Sequence, residues 1–255
     1  MLFNGKRLEM AGSQSVFTDL AFWPGVNKNT FKFADVPRGL VVHWTGAEND
    51  GNRVVDTLLK RELSIHFTIE KTGEIVQRAD LATRCAHAGI GNRFWGVEIV
   101  GRGFARPEDV RGSDLRDRTE LDWAEPRDVY RDEIDGKRVN MAAFYPAQIK
   151  SALLLCEMLC AGFNVPRLMP EVVTKKPSEL YAIKLDNGKW VEPAFNRKPY
   201  RWQERARKFE GILGHFHLHS TKCDPGTQVF RALWANGFNS PGMVYPSWES
   251  DRRFA

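Results

Sequence analysis

LVVHWTG, Leu40–Gly46, carries three consecutive aliphatic residues and then stops on a histidine, a tryptophan, a threonine and a glycine. A short apolar run bounded by turn residues reads as a buried strand. It places His43 near the strand's end. The next segment, NDGNRVVDTLLKREL, has its apolar pairs Val54/Val55 and Leu58/Leu59 at helical spacing. SIHFTIEKTGEIVQRA (Ser64–Ala79) reads as a hairpin, with two runs rich in Ile, Phe, Thr and Val around the turn Glu70–Gly73. RCAHAGIGNRFWGVEIVGRG (Arg84–Gly103) reads as a loop followed by the strand WGVEIVG. Strand, helix, hairpin, strand is the signature of an α/β fold, a central mixed β-sheet flanked by helices.

The rest of the chain extends this unit. Residues 1–37 read as an irregular lead-in with short apolar pieces. Residues 104–139 are crowded with charges of both signs and poor in aliphatics, so they read as an exposed insertion, with room for a short hairpin. YPAQIKSALLLCEMLCAGFNVP is a helix. Ile149, Ala152, Leu153, Cys156, Leu159, Cys160 and Phe163 recur at steps of three and four, Pro146 suits the first turn and Gly162 lies near the stop. A second insertion, residues 167–200, has hairpin character around Asp186–Gly188. FEGILGH reads as another buried strand and TQVFRALWANG as a last helix. Residues 1–238 form one expected domain and 239–255 a tail.

Composition narrows the class. The chain has 255 residues, 42% of them hydrophobic and 27% charged, with a mean hydropathy of −0.42. That is the composition of a soluble globular protein large enough to need no disulfide staples. Cys85, Cys156, Cys160 and Cys223 show no disulfide framework, which points to synthesis in a reducing compartment. No signal peptide and no stretch of about 20 apolar residues is present. Synthesis in the cytoplasm, without membrane insertion, is the expectation. The net charge of +5 suits a polyanionic target. Because the basic residues are interspersed with acids, nucleic acid is not the expected partner.

The chemistry gathers in GHFHLHSTKCDPG, Gly214–Gly226. In an extended strand His215, His217 and His219 would share one face. With His43 at another strand end and Asp224 close behind, they offer nitrogen and carboxylate donors of the kind zinc sites use. A polar strand edge would have the same pattern.

VVHWTG, SIHFTIEKTGEIVQRA, AHAGIGNRFWGVEIVG and GHFHLHSTKCDPG, in this order, resemble the zinc-dependent N-acetylmuramoyl-L-alanine amidases. The superfamily includes phage lytic amidases, a muropeptide-recycling amidase and peptidoglycan-recognition proteins. The resemblance covers roughly residues 38–103 and 140–238. It implies a zinc groove on one side of the sheet and peptidoglycan as the substrate. Of the ligands, it implies His43 and Asp224, with His215 as the second histidine, His217 as its runner-up and His219 third. Cys223 is a bystander in this pattern. Some phage members carry a tyrosine before the His-Phe pair of the hairpin, where this chain has Ile65. The resemblance therefore implies Glu98, in Gly96-Val97-Glu98, as the catalytic carboxylate, and Lys222 as the stabiliser of the oxyanion. His66 and His87 are implied as substrate contacts or as partners standing behind the ligands, and Asn92 as the residue that holds the groove loop or the substrate peptide, with Trp44, Phe94 and Trp95 as groove wall or core packing. The expected activity is hydrolysis of the amide between N-acetylmuramic acid and L-alanine by a phage or prophage endolysin, acting on the wall after release. A recycling enzyme, a delivered wall-cutting effector, or a non-catalytic peptidoglycan-binding protein on the same fold are the other readings.

Overall fold

The computed structural model describes residues 1–12, 15–21, 33–46, 50–103, 129–134, 137–169, 172–175, 183–184, 190–195, 209–219, 222–226 and 228–238. The described elements, in chain order, are β1 (Leu2–Phe3), β2 (Lys6–Arg7), β3 (Val16–Thr18), β4 (Gly39–Trp44), α1 (Gly51–Lys60), β5 (Phe67–Ile69), β6 (Ile75–Gln77), β7 (Trp95–Ile99), β8 (Val129–Ile134), β9 (Lys137–Ala142), α2 (Pro146–Phe163), β10 (Val172–Lys175), β11 (Ile183–Lys184), β12 (Trp190–Phe195), β13 (Gly211–Gly214) and α3 (Gln228–Ala235). Six strands form the central sheet in the order β13-β4-β7-β5-β6-β3. β13, β4, β7 and β5 run parallel, and β6 is antiparallel to β5. The sheet is mixed, as the sequence predicts.

Strand alternation divides the apolar side chains between two faces. Leu40, Val42, Phe67, Ile69, Trp95, Val97, Ile99 and Ile212 meet α2 and α3 in the main core. Val41 and Leu213 face the other way, against Phe94, Leu168 and Phe209. On that side α1 packs Val54, Val55 and Leu58 over Ile65, Ala79, Cys85 and Val100. Helices thus cover both faces, but α1 leaves the β4–β13 end of its face for the candidate site.

α1 starts where the sequence suggests. The side chain of Asp50 accepts the Arg53 N–H, and Gly51 donates its N–H to the carboxylate of Glu70 at 2.9 Å. At α2, Gln148 joins the helix to the sheet. Its side-chain oxygen accepts from Tyr145 N–H, and its amide nitrogen donates to Val100 C=O at 2.7 Å. The helix ends on Asn164 in the left-handed conformation, two residues beyond Gly162.

The lead-in is not irregular. Residues 1–12 hold the β1–β2 hairpin and residues 15–21 contribute β3 to the edge of the sheet, parallel to β6, while residues 22–32 lie outside the described residues. The hairpin turns on Asn4 and Gly5, both at positive φ, and both N–H groups donate to the Asp80 carboxylate at 2.7 Å. Phe3 packs on Phe163, with ring centroids 5.4 Å apart. A Cβ on Gly162 would lie 1.7 Å from Met10 Cε, so that glycine is a notch for the lead-in rather than a stop. Strands of two or three residues are too short to show a period, and only their distant partners define them. Leu155 and Met158 are buried too, Met158 against Gly12 of the lead-in, which widens the buried stripe of α2 beyond the expected seam.

In the first insertion β8 pairs antiparallel with β9, and in the second β12 pairs with both β10 and β11. Both are the hairpins that the sequence suggests. Residues 104–128 and the tail 239–255 lie outside the described residues. None of the four cysteines forms a disulfide. Among the described residues, no helix is long and apolar enough to cross a membrane.

Candidate metal centre

Register places the site. His43 of β4 pairs with Glu98 of β7, and Glu98 pairs with Thr68 of β5. β13 pairs Gly214 with Val42, so His215 stands next to His43 just past the strand's end. Parallel neighbours at equal register point to the same face. Glu98, His43 and His215 therefore form a row near the C-terminal ends of parallel strands, where ligands bind in open α/β sheets.

Beyond Gly214 the chain does not stay extended. His215–His217 is a 3₁₀ turn, closed by Leu218 N–H donating to His215 C=O, and Phe216 N–H donates to Asp224 C=O at 3.0 Å. That last bond brings the 222–226 segment back over the strand end. The Oδ2 of Asp224 lies 3.0 Å from His215 Nδ1 and 3.2 Å from His43 Nδ1, and the two Nδ1 atoms are 3.1 Å apart. All three residues are buried.

Among the described residues, this is the group of His, Cys, Asp and Glu that could hold a metal ion. Three donors about 2.1 Å from a tetrahedral zinc would be about 3.4 Å apart, close to the separations found here. The protonation states also suit a cation. Burial lowers the His43 pKa, leaving a neutral imidazole, so its contact with Asp224 is not an ion pair despite the short distance. Burial alone would raise the Asp224 carboxyl. The imidazoles of His215 and His43 at its Oδ2 outweigh that and hold it well below the usual carboxylate range. A neutral His43 imidazole beside an anionic Asp224 carboxylate offers ligands already deprotonated.

Glu98 is buried rather than exposed, and its Oε2 makes no hydrogen bond. Burial pushes its carboxyl well above the usual range, the charge of Asp224 adds to this, and Lys222 and Arg61 act in the opposite sense. A buried carboxyl with a raised pKa and a free oxygen beside a metal-binding group can carry a proton. Lys222 is exposed, and its backbone N–H donates to His219 C=O.

The 3₁₀ turn separates the histidines that an extended strand would align. His217 turns into the core, where its ring packs on Phe216 and Phe230 at 4.0 and 5.0 Å between centroids, and its Nδ1 accepts the Gly214 N–H. It is not beside His43. His219 is exposed, with its ring 5.5 Å from that of His215. Cys223 is half-buried against the main core, outside the metal-binding group.

His66, His87, Asn92 and Trp44 are each held by contacts within the protein. His66 is fully buried. It accepts Gly96 N–H at 3.1 Å and donates to Thr83 C=O at 2.7 Å, so it ties strands together. His87 is buried behind His43, with its Nδ1 2.9 Å from His43 Nε2 and its Nε2 3.2 Å from Phe94 C=O. The side-chain oxygen of Asn92 accepts from His87 N–H and Ala88 N–H, both at 2.8 Å, holding the loop. Trp44 lies over Gly103, where a Cβ would be 2.5 Å from the indole. Ile65 and Trp95 are core residues at 0% exposure. Gly96, whose own part the sequence reading misses, supplies space. A Cβ there would lie 2.9 Å from the His87 ring and 2.6 Å from Ile65 Cδ1. A glycine inside a strand is its signal in the sequence.

The buried histidines make stability depend on pH. Burial lowers His66 to about 4 and His217 to about 3, against an ordinary 6.5. Each folded pKa is depressed, so the unfolded chain binds these protons more readily. Their contribution is complete above pH 6.5 and is lost as pH falls towards 4 and 3. For His66 the loss is about 3 kcal/mol. Urea unfolding of the metal-free protein will show falling stability between pH 6.5 and 4, and a flat profile there would refute this account.

A family model described as N-acetylmuramoyl-L-alanine amidase (Amidase_2) matches residues 33–227. Among solved structures, a selenomethionine derivative of AmpD is 16% identical, covering 91% of this chain and 99% of that one at a TM-score of 0.41. The endolysin amidase LysCS from Clostridium intestinale is also 16% identical, with coverage of 59% and 76% and a TM-score of 0.38. AmiD from E. coli, solved with the substrate anhydro-N-acetylmuramic acid-L-Ala-D-γ-Glu-L-Lys, is 20% identical, with coverage of 56% and 51% and a TM-score of 0.34. No curated protein matches. The match to the family model spans most of the chain and takes in β4, the hairpin, β7 and the Gly214–Gly226 segment, and the chain belongs to the zinc-dependent N-acetylmuramoyl-L-alanine amidases.

Proposed function

We propose that this chain is a zinc hydrolase that cuts the amide between the lactyl group of N-acetylmuramic acid and L-alanine in peptidoglycan, as a wall-lytic enzyme of the phage or prophage type. The observation that carries the reading is the buried His43–His215–Asp224 group, beside a carboxylate with an unpartnered oxygen. His43, His215 and Asp224 would hold the ion. A zinc bound there polarises the amide carbonyl and acidifies a water towards pKa about 7.

The chain's own groups account for the protons. Water adds across the amide: its oxygen bonds to the carbonyl carbon and the C–N bond breaks. Glu98 takes a proton from the water and returns it to the departing nitrogen. The raised pKa of Glu98 suits a group that must both accept and release a proton. The Lys222 ammonium, exposed beside the site, supplies positive charge for the oxyanion. A complete donor set with both Glu98 and Lys222 favours catalysis over simple peptidoglycan binding. The basic net charge suits an anionic wall. Release to the wall at lysis is the delivery proposed for it.

The test is zinc content and the product formed on sacculi. The expected result is about one zinc per chain and new L-alanine N-termini, with intact sacculi cut faster than soluble anhydro-muropeptides. A protein that takes up no zinc and frees no N-termini refutes the enzyme reading. A preference for the soluble muropeptide refutes the lytic role.

A further inference from the structure

We propose that His87 is a positioning residue: it fixes the tautomer of His43 and so makes Nδ1 the nitrogen that His43 offers to a metal. The proposal rests on the zinc reading above. It follows from a chain of contacts that ends on a backbone carbonyl. The Phe94 carbonyl can only accept, so the proton at its 3.2 Å contact belongs to His87 Nε2. His87 is buried between a carbonyl and a second imidazole, so the neutral ring, with Nδ1 a bare acceptor, meets both contacts without burying a charge. His43 Nε2 lies 2.9 Å from that acceptor and must donate to it. An imidazole that ligates a metal does so from its neutral ring, so with Nε2 donating, Nδ1 is the nitrogen that carries no proton. That atom faces His215 Nδ1 at 3.1 Å and Asp224 Oδ2 at 3.2 Å.

The opposite tautomer would set two bare nitrogens against each other at 2.9 Å in a buried site and leave neither hydrogen-bonded. Where Nδ1 of His43 is bare, it meets another acceptor, the Asp224 oxygen. This repulsion is relieved when a cation lies between them. His87 thus decides the direction in which the His43 lone pair points, as the second hydrogen bond of a ligating histidine does in metal sites.

Three independent features hold His87 in this role. Asn92 accepts its backbone N–H at 2.8 Å. Gly96 clears space for its ring, since a Cβ there would meet Nδ1 and Cε1 at 2.9 Å. The His43 and His87 rings meet edge to face, at 88° with centroids 5.1 Å apart, which aligns Nε2 with Nδ1. With both nitrogens engaged and only 8% of its surface exposed, His87 has nothing left to offer a substrate.

The experiment uses the full chain, stripped of metal and labelled with ¹⁵N-histidine, together with zinc affinity by chelator competition. In the wild type, His43 is expected to show a protonated Nε2 and a bare Nδ1. His87→Phe keeps a ring but removes the acceptor, and zinc affinity should fall about 10- to 100-fold. His87→Gln offers an amide oxygen as acceptor and should recover most of the loss. A wild-type His43 protonated on Nδ1 overturns the proposal. So does His87→Phe binding zinc within about twofold of wild type while His43→Ala binds none. If wild type and His43→Ala alike bind no zinc, the zinc reading fails and the nitrogen shifts alone judge the tautomer. Should His87→Phe not fold, the wild-type shifts and the His87→Gln affinity decide.

Discussion

Asp224→Ala will leave the protein folded and strip it of tightly bound zinc. The carboxylate is the anionic member of the donor group, in contact with both imidazoles through one oxygen. Without it, two histidines, with no anionic partner, remain to face a dication. Spreading the free energy of a tight zinc site, about 10–16 kcal/mol, over its ligands assigns at least about 3 kcal/mol to this one, a loss of about a hundredfold or more in affinity. The fold should survive, because residue 224 anchors its segment through its backbone carbonyl and not its side chain. Metal analysis after dialysis, beside a thermal melt, checks both halves. Asp224→Ala retaining a full complement of zinc and full activity would falsify the ligand assignment.

Glu98→Gln separates metal binding from turnover. The amide keeps the shape of the side chain but cannot carry the proton. Hydrolysis should fall about 10²- to 10⁴-fold while zinc affinity stays close to wild type. The same substitution has a second, independent signature. Burial raises the folded pKa of Glu98 above its unfolded value, so its favourable state in the metal-free protein is the protonated one. That contribution is present at low pH and is lost as pH rises above about 4.5. Glutamine has no charge to bury. The metal-free variant should therefore be more stable than the metal-free wild type at pH 8, with the gap closing towards pH 4. Equal turnover in the two proteins would remove Glu98 from the reaction. An equal melting difference at both pH values would remove the burial argument.

Much of the core was legible because its periodicities are local. LVVHWTG, the SIHF hairpin and WGVEIVG each stop where turn chemistry demands, and the α2 pattern is long enough to be unambiguous. The lead-in was not legible. Its strands have two or three residues, and what makes them strands is β6, the carboxylate of Asp80 and the notch at Gly162, far away in the chain. The roles of His66 and His87 were hidden for a related reason. The resemblance implies both as contacts of the groove, and only the structure shows that each spends its two nitrogens on partners within the protein.

The sequence by itself determined the alternation of strand and helix, the placing of His43 and Glu98 on strands that could pair, and the nearness of Asp224 to a histidine-rich segment. The family resemblance favoured His215 over His217 and His219, but the residue pattern alone could not choose among them, because that choice depends on the backbone beyond Gly214. An extended strand would have aimed all three at one face. The tertiary structure decided otherwise: Asp224 C=O takes the Phe216 N–H, the backbone tightens into a 3₁₀ turn, and Phe230 receives the His217 ring. His215 is left beside His43, and the tautomer of that pair depends on a carbonyl at Phe94 that no side-chain pattern records.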